Sequence, residues 1–147
     1  MRKYALDTNL YIQAIRDVGA AEELQSFFST FAPATYLSSI VLHELLVGAT
    51  GAAKAREIRE VVASPFRRTR RILTPSADAW EVAAEAIASM ARREKRELRT
   101  LPKSLVNDYL LAASCRESGV ILVTQNVADF ESIKRYIKVQ FTPPWPD

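Results

Sequence analysis

Val120-Ile121-Leu122-Val123-Thr124-Gln125-Asn126 is the stretch on which the fold turns. Its first four residues are apolar without a break, and three of them are β-branched. A strand with one solvated face would alternate. An unbroken run instead suits a parallel strand covered on both sides. Gly119, just before it, suits the left-handed cap of a preceding helix, which Pro102 or Ser104 opens and which runs to Ser118. The polar Thr124-Gln125-Asn126 ends the strand, and a short helix is expected from about Ala128.

The same alternation extends outward in both directions. Lys3 to Leu6 reads as a strand ending at Asp7, with Thr8 or Asn9 capping a helix to about Ile15. Leu24, Phe27, Phe28 and Phe31 give helical spacing over Ala20 to Phe31, stopped by Pro33. Thr35 to Ile40 reads as a strand, with Ser38 or Ser39 capping a helix over Val41 to Val47 that Gly48 ends. A charged amphipathic helix is expected over Ala52 to Ala63 and a short strand over Arg71 to Leu73. Ser76 caps a helix reaching Glu97, with Trp80, Ala83, Ala84, Ile87 and Met90 on its core face. A last strand falls near Ile137 to Phe141, and Trp145 anchors a proline-rich tail. The prediction is an α/β fold with a mostly parallel central sheet flanked by helices, one domain over residues 1–147. Parallel sheets bind ligands beyond the carboxyl ends of their strands, so Asp7 and Thr124-Gln125-Asn126 are expected to share a cleft.

Composition narrows the chemistry. The lone Cys115 permits no internal disulfide, which fits a reducing cytoplasm. No run approaches the roughly 18 apolar residues of a membrane helix, and no export signal is visible. His43 is the only histidine, so neither a zinc site nor a pair of histidines shuttling protons is available. No Gly-x-Ser-x-Gly elbow or glycine-rich phosphate loop occurs. The net charge is +3, but Lys54 to Lys103 carries 13 basic and 7 acidic residues while the remainder is net acidic. A basic surface beside an acidic cleft suits nucleic-acid chemistry; solvated helix faces would produce the same count. The run Arg67-Arg68-Thr69-Arg70-Arg71 is the expected contact to an RNA backbone. Trp80 and the Phe27, Phe28 and Phe31 stripe are expected in the core.

Three acids stand inside apolar sequence: Asp7 after Tyr4-Ala5-Leu6, Glu44 within Ile40 to Val47, and Asp108 within Leu105 to Leu111. Singly, each has an ordinary reading, as a helix cap, a solvated helix position or a first-turn acid. Together they read as ligands for a hard cation such as Mg²⁺ or Mn²⁺, which takes oxygen donors and assists phosphodiester hydrolysis.

Leu6-Asp7-Thr8-Asn9, Glu44-Leu45 with Gly48, Asn107-Asp108-Tyr109-Leu110-Leu111-Ala112-Ala113, and Leu122-Val123-Thr124-Gln125-Asn126 ending in Asp129-Phe130 together resemble the PIN domain. Within it, the chain is similar to the VapC-type toxins of bacterial toxin–antitoxin pairs, from Tyr4 to about Phe141. The resemblance implies a PIN fold and Mg²⁺- or Mn²⁺-dependent cleavage of RNA, with Asp7, Glu44 and Asp108 matching the first three family acids and holding the metal. The fourth acid would fall at Asn126, where this chain departs from the pattern, and Asp129 stands three residues on. Thr8, Asn9 and Thr124 match positions that orient the acids or touch phosphate, and Arg67 and Arg68 would contact substrate. A homodimer and a small antitoxin partner are further implied, the latter against Leu42 to Val47 and Ala52 to Ala63. Asn126 keeps open a non-catalytic RNA-binding module, and an RNA-processing nuclease without an antitoxin is the nearest neighbour.

Overall fold

The computed structural model describes residues 1–147. Five parallel strands form one sheet: β1 (Tyr4–Leu6), β2 (Thr35–Ser38), β3 (Ile72–Leu73), β4 (Ile121–Val123) and β5 (Phe141–Thr142), in the order β3-β2-β1-β4-β5. β1 is central. Tyr4 lies opposite Thr35 on one side and Ile121 on the other. The chain therefore winds away from β1 in both directions, and the strand order reverses beside it. A crevice at such a reversal, beyond the carboxyl ends of the strands, is the natural ligand site of a parallel sheet. Asp7 and Thr124 are the first residues past β1 and β4.

Helices fill the crossovers: α1 (Thr8–Arg16), α2 (Val18–Phe31), α3 (Ser39–Val47), α4 (Ala52–Glu57), α5 (Ser64–Arg68), α6 (Ala77–Arg93), α7 (Lys103–Ser118) and α8 (Val127–Ile133). Ser38 and Ser76 cap as expected: Ser38 Oγ accepts from Ile40 N at 3.1 Å, and Ser76 Oγ accepts from Ala79 N at 3.1 Å. α1 is capped by Asp7 rather than by Thr8 or Asn9, because it is the Asp7 carboxylate that accepts from the first helical N–H, that of Thr8. Gly119 closes α7 at φ +65°, where a side chain is disfavoured. α7 is the buried helix of the fold. Tyr109 through Cys115 are all buried, because the sheet covers one side of this helix and α6 the other.

Several expectations need correction. Trp80 is 59% exposed and Ala84 is also exposed, whereas Ala79, Ala83, Ala86, Met90 and Ala91 form the buried face of α6. The tryptophan's bulk misled the phase. Small residues face α7 because they let two helices approach closely. α6 ends at Arg93 rather than Glu97, since Lys95 turns to φ +54° and Arg96 N donates back to Ala91 O at 2.9 Å. The expected helix over Ala52 to Ala63 loosens into a π-helical stretch, Ile58–Ala63, and then continues as α5. β5 is shorter and later than expected. Phe27 is buried, with Tyr4, Phe31 and Trp145 packed around it. Trp145 also donates its indole N–H to Glu23 at 3.0 Å, anchoring the tail.

Candidate active site

Asp7 is only 4% exposed at the end of the central strand. Its Oδ1 accepts from the Thr8 backbone N–H at 2.8 Å, and its Oδ2 accepts from the Thr124 hydroxyl at 2.7 Å. Thr124 Oγ1 in turn accepts from Asn126 N at 3.0 Å. The backbone N–H of Asp7 donates to Val123 O at 2.9 Å, extending the β1–β4 ladder to the carboxylate itself. Both expected halves of the cleft thus meet, joined by a side-chain bond across 117 residues of sequence.

A second threonine holds a second acid. The Thr8 hydroxyl donates to Glu44 Oε1 at 2.7 Å, tying the first turn of α1 to the middle of α3. Glu44 is half-buried. Asp108 projects from α7, half-buried, and makes no hydrogen bond to the rest of the chain. Asp129 lies exposed in the first turn of α8.

These acids share one electrostatic field. Burial pushes the Asp108 carboxyl up to about 8, and the charges of Asp7, Glu44 and Asp129 push the same way. Burial also raises Asp7. Its bonds from Thr124 and Thr8 oppose that rise, and the charges of Glu44 and Asp129 add to it. Four carboxyl groups from four segments therefore act on one another at the carboxyl edge of the sheet. Left to themselves, Asp7 and Asp108 hold protons that ordinary carboxyls would release. A cation would relieve the cluster.

No three His, Cys, Asp or Glu side chains converge tightly enough to form a metal-binding group by themselves. That geometry does not suit a cation caged by protein. A divalent cation would fit only with waters or substrate phosphate completing the one or two carboxylates it takes.

The remaining expected residues fall in different places. Asn126 is half-buried at the start of α8, and its side chain makes no hydrogen bond. Asn9 is exposed on α1 and likewise unbonded, and His43 is exposed. Arg67 and Arg68 do not join the acids. Their run leads into β3 from its amino end, where Leu37 N donates to Arg71 O at 2.9 Å and Arg71 Nε donates to Thr35 O at 3.0 Å. In a parallel sheet that end is opposite the one where Asp7 stands. The physical reason is polarity. A loop feeding a strand and a loop leaving one lie on opposite edges.

One contact was not legible in sequence. Gln13 Nε2 donates to Gln125 Oε1 at 2.7 Å, and Gln125 Nε2 donates back to Gln13 Oε1 at 2.9 Å. This reciprocal amide pair latches α1 to the loop that carries Thr124. Neither glutamine has a local signal pointing to a partner 112 residues away.

A model of the PIN domain matches residues 4–136. No curated protein matches the chain. Among solved structures, the DNA-bound VapBC of Salmonella typhimurium is similar at 25% identity and a TM-score of 0.71, covering 97% of this chain and 98% of that one. FitAcB from Neisseria gonorrhoeae is similar at 22% identity and 0.66, covering 97% and 98%. VapBC-1 from nontypeable Haemophilus influenzae is similar at 22% identity and 0.64, covering 95% and 96%. The likeness to the last two is one of fold.

Proposed function

The chain belongs to the PIN-domain family, and from that premise we propose that it is a divalent-cation-dependent endoribonuclease, the toxin of a toxin–antitoxin pair. The observation that carries the reading is the mutual field of Asp7, Glu44, Asp108 and Asp129 at the strand-order reversal. Asp7 and Asp108, whose carboxyls no cation of the chain lowers, suit a site completed by Mg²⁺ or Mn²⁺ and an RNA phosphate. Asp7 and Asp108 would hold the cation directly, and Glu44 would hold it through water. When bound, the cation supplies charge neutralisation at the phosphodiester and lowers the pKa of water.

The chain's own groups prepare that chemistry. The Thr124 hydroxyl and the Thr8 N–H each occupy one Asp7 oxygen, fixing the carboxylate plane. The Thr8 hydroxyl occupies Glu44 Oε1, leaving Oε2 free to accept from a water. Asp108 makes no bond within the chain, so its carboxylate is available to ligands. Asn126 and Asp129 stand at the fourth corner, where Asn126 can orient a water and Asp129 contributes charge.

The partners follow from the relatives. Similar structures are VapBC and FitAcB, a likeness that supports a cognate antitoxin as partner; that the antitoxin silences the chain, and that the chain is a cytoplasmic homodimer, are parts of the same proposal. No helix is long and apolar enough to cross a membrane.

The test is cleavage of total RNA with Mg²⁺ or Mn²⁺, with cut ends mapped for wild type, Asp7→Asn and Asp108→Asn. The expected result is metal-dependent cutting by wild type and a loss of at least about 100-fold in both variants, whose circular dichroism stays native. Undiminished cutting by both would overturn the reading. Binding of RNA by a wild-type chain that never cuts would favour a non-catalytic module.

A further inference from the structure

Beside the acids lies a cleft of about 320 Å³, walled in part by Glu44, Leu45, Lys54 and Ile58, from the two segments that the family resemblance gives to an antitoxin. Three helices and the residues that follow two of them build it, with lining residues four apart. On α1, Thr8, Ile12 and Arg16 fall at i, i+4 and i+8, so one face runs from the threonine that holds Glu44 to a cation at the helix end. Glu44 of α3 is followed one turn on by Gly48, the residue that caps the helix. Across from them, Lys54 of α4 is followed by Ile58. The cleft therefore has an acid of the candidate site at one end, an apolar floor, and two cations along its walls.

The cations are available. Arg16 is exposed and forms no ion pair, while Lys54 is shared only with Glu57, at 3.1 Å on the surface. An exposed pair of that kind is weak and exchanges readily for a phosphate. At about 1.5 Å per residue along α1, Arg16 lies roughly 12 Å from Thr8. That is too far for the phosphate under attack and suited to a neighbouring one. Gly48 leaves the floor open. It caps α3 at φ −80° and ψ −3°, a backbone any residue adopts, and a Cβ there would meet nothing closer than 3.4 Å. The glycine is thus not required by its own backbone, and its absent side chain is space in the cleft.

We propose that this cleft is a subsite for a nucleotide flanking the scissile phosphate, its phosphate held by Arg16 and Lys54 and its base laid on Ile12, Ile58 and the open floor at Gly48. The inference rests on the nuclease reading and replaces Arg67 and Arg68 with cations on the correct side of the sheet. Single-stranded RNA offers the matching chemistry, a charged backbone with bases free to lie against side chains.

The experiment measures binding of a fluorescent single-stranded RNA to the full chain by anisotropy across a salt series. An Asp7→Asn background prevents cleavage, and single-turnover cleavage is followed in parallel without that substitution. Arg16→Ala and Lys54→Ala should each weaken binding several-fold and flatten the salt dependence by about 0.7 in log–log slope, as for one lost phosphate contact on a single strand. Gly48→Leu should weaken binding with the slope unchanged, because it fills space and removes no charge. Glu57→Gln should tighten binding by freeing Lys54. Cleavage by wild type with all four variants unaltered would overturn the subsite and leave the nuclease reading intact. The same variants impairing only assembly with a protein partner would also overturn it. A wild-type chain that neither binds nor cuts RNA would defeat both.

Discussion

Asp108 is the residue whose surroundings make the sharpest demand. Its carboxyl is raised from an ordinary 3.8 to about 8, by burial first and then by three neighbouring acids. The sign follows from proton binding. Between those two values the folded chain holds a proton that the unfolded chain has released. The associated stability is present below about pH 4 and is lost as pH rises through about 8. In chelator, the melting temperature should therefore fall over that window. Asp108→Asn should flatten the fall and stabilise the metal-free protein at neutral pH, on the order of 1–2 kcal/mol. Calorimetry across pH reads both, and a wild-type melting temperature that climbs from pH 5 to 8 would contradict the assignment. Cation binding should release protons, so Mn²⁺ affinity should rise with pH.

At the scale of elements, the site depends on how the start of α1 is held to its neighbours. Thr8 joins it to α3, Asp7 joins it to the loop after β4, and the Gln13–Gln125 pair fastens the same loop one and a half turns further on. Each amide bond is exposed, so its net contribution is at the low end of about 0.5–1.5 kcal/mol. Gln13→Ala and Gln125→Ala should each lower stability by about that much, and the double variant should lose no more than either single one, since both remove the same pair. Urea denaturation measures the cycle. Additive losses would show that the two glutamines act separately. Cation affinity should drop in step, because the loop that carries Thr124 is what keeps the Asp7 carboxylate in place.

At the scale of the whole molecule, strand polarity sorts the charges. The acids collect at the carboxyl edge and the Arg67 to Arg71 run at the amino edge. Arg67→Ala with Arg68→Ala should accordingly leave RNA cleavage within about twofold of wild type, with the salt slope unchanged. A large loss in single-turnover rate or in slope would show that substrate wraps to the far edge. The linear charge count was correct and still misleading. A local surplus of positive charge in sequence does not say which edge of a sheet it reaches.

Much of this protein is determined by its sequence alone. The unbroken apolar run at Val120 to Val123 requires a strand covered on both faces, and Asp7 directly after Leu6 places an acid where such a sheet opens. Caps at Asp7, Ser38, Ser76 and Gly119 act through bonds and dihedrals a few residues away, so they too are legible locally. Tertiary structure decided everything that depends on facing. The buried side of α6 went to alanines because helix approach favours small residues over a single large one. The Gln13–Gln125 latch and the cleft between Arg16 and Lys54 join segments whose spacing carries no mutual signal. The carboxylate cluster lies between these two cases. Asp7, Glu44 and Asp108 were nameable from their apolar settings, but their shared field, and Asp129's part in it, arises only where parallel strands bring four distant segments to one edge.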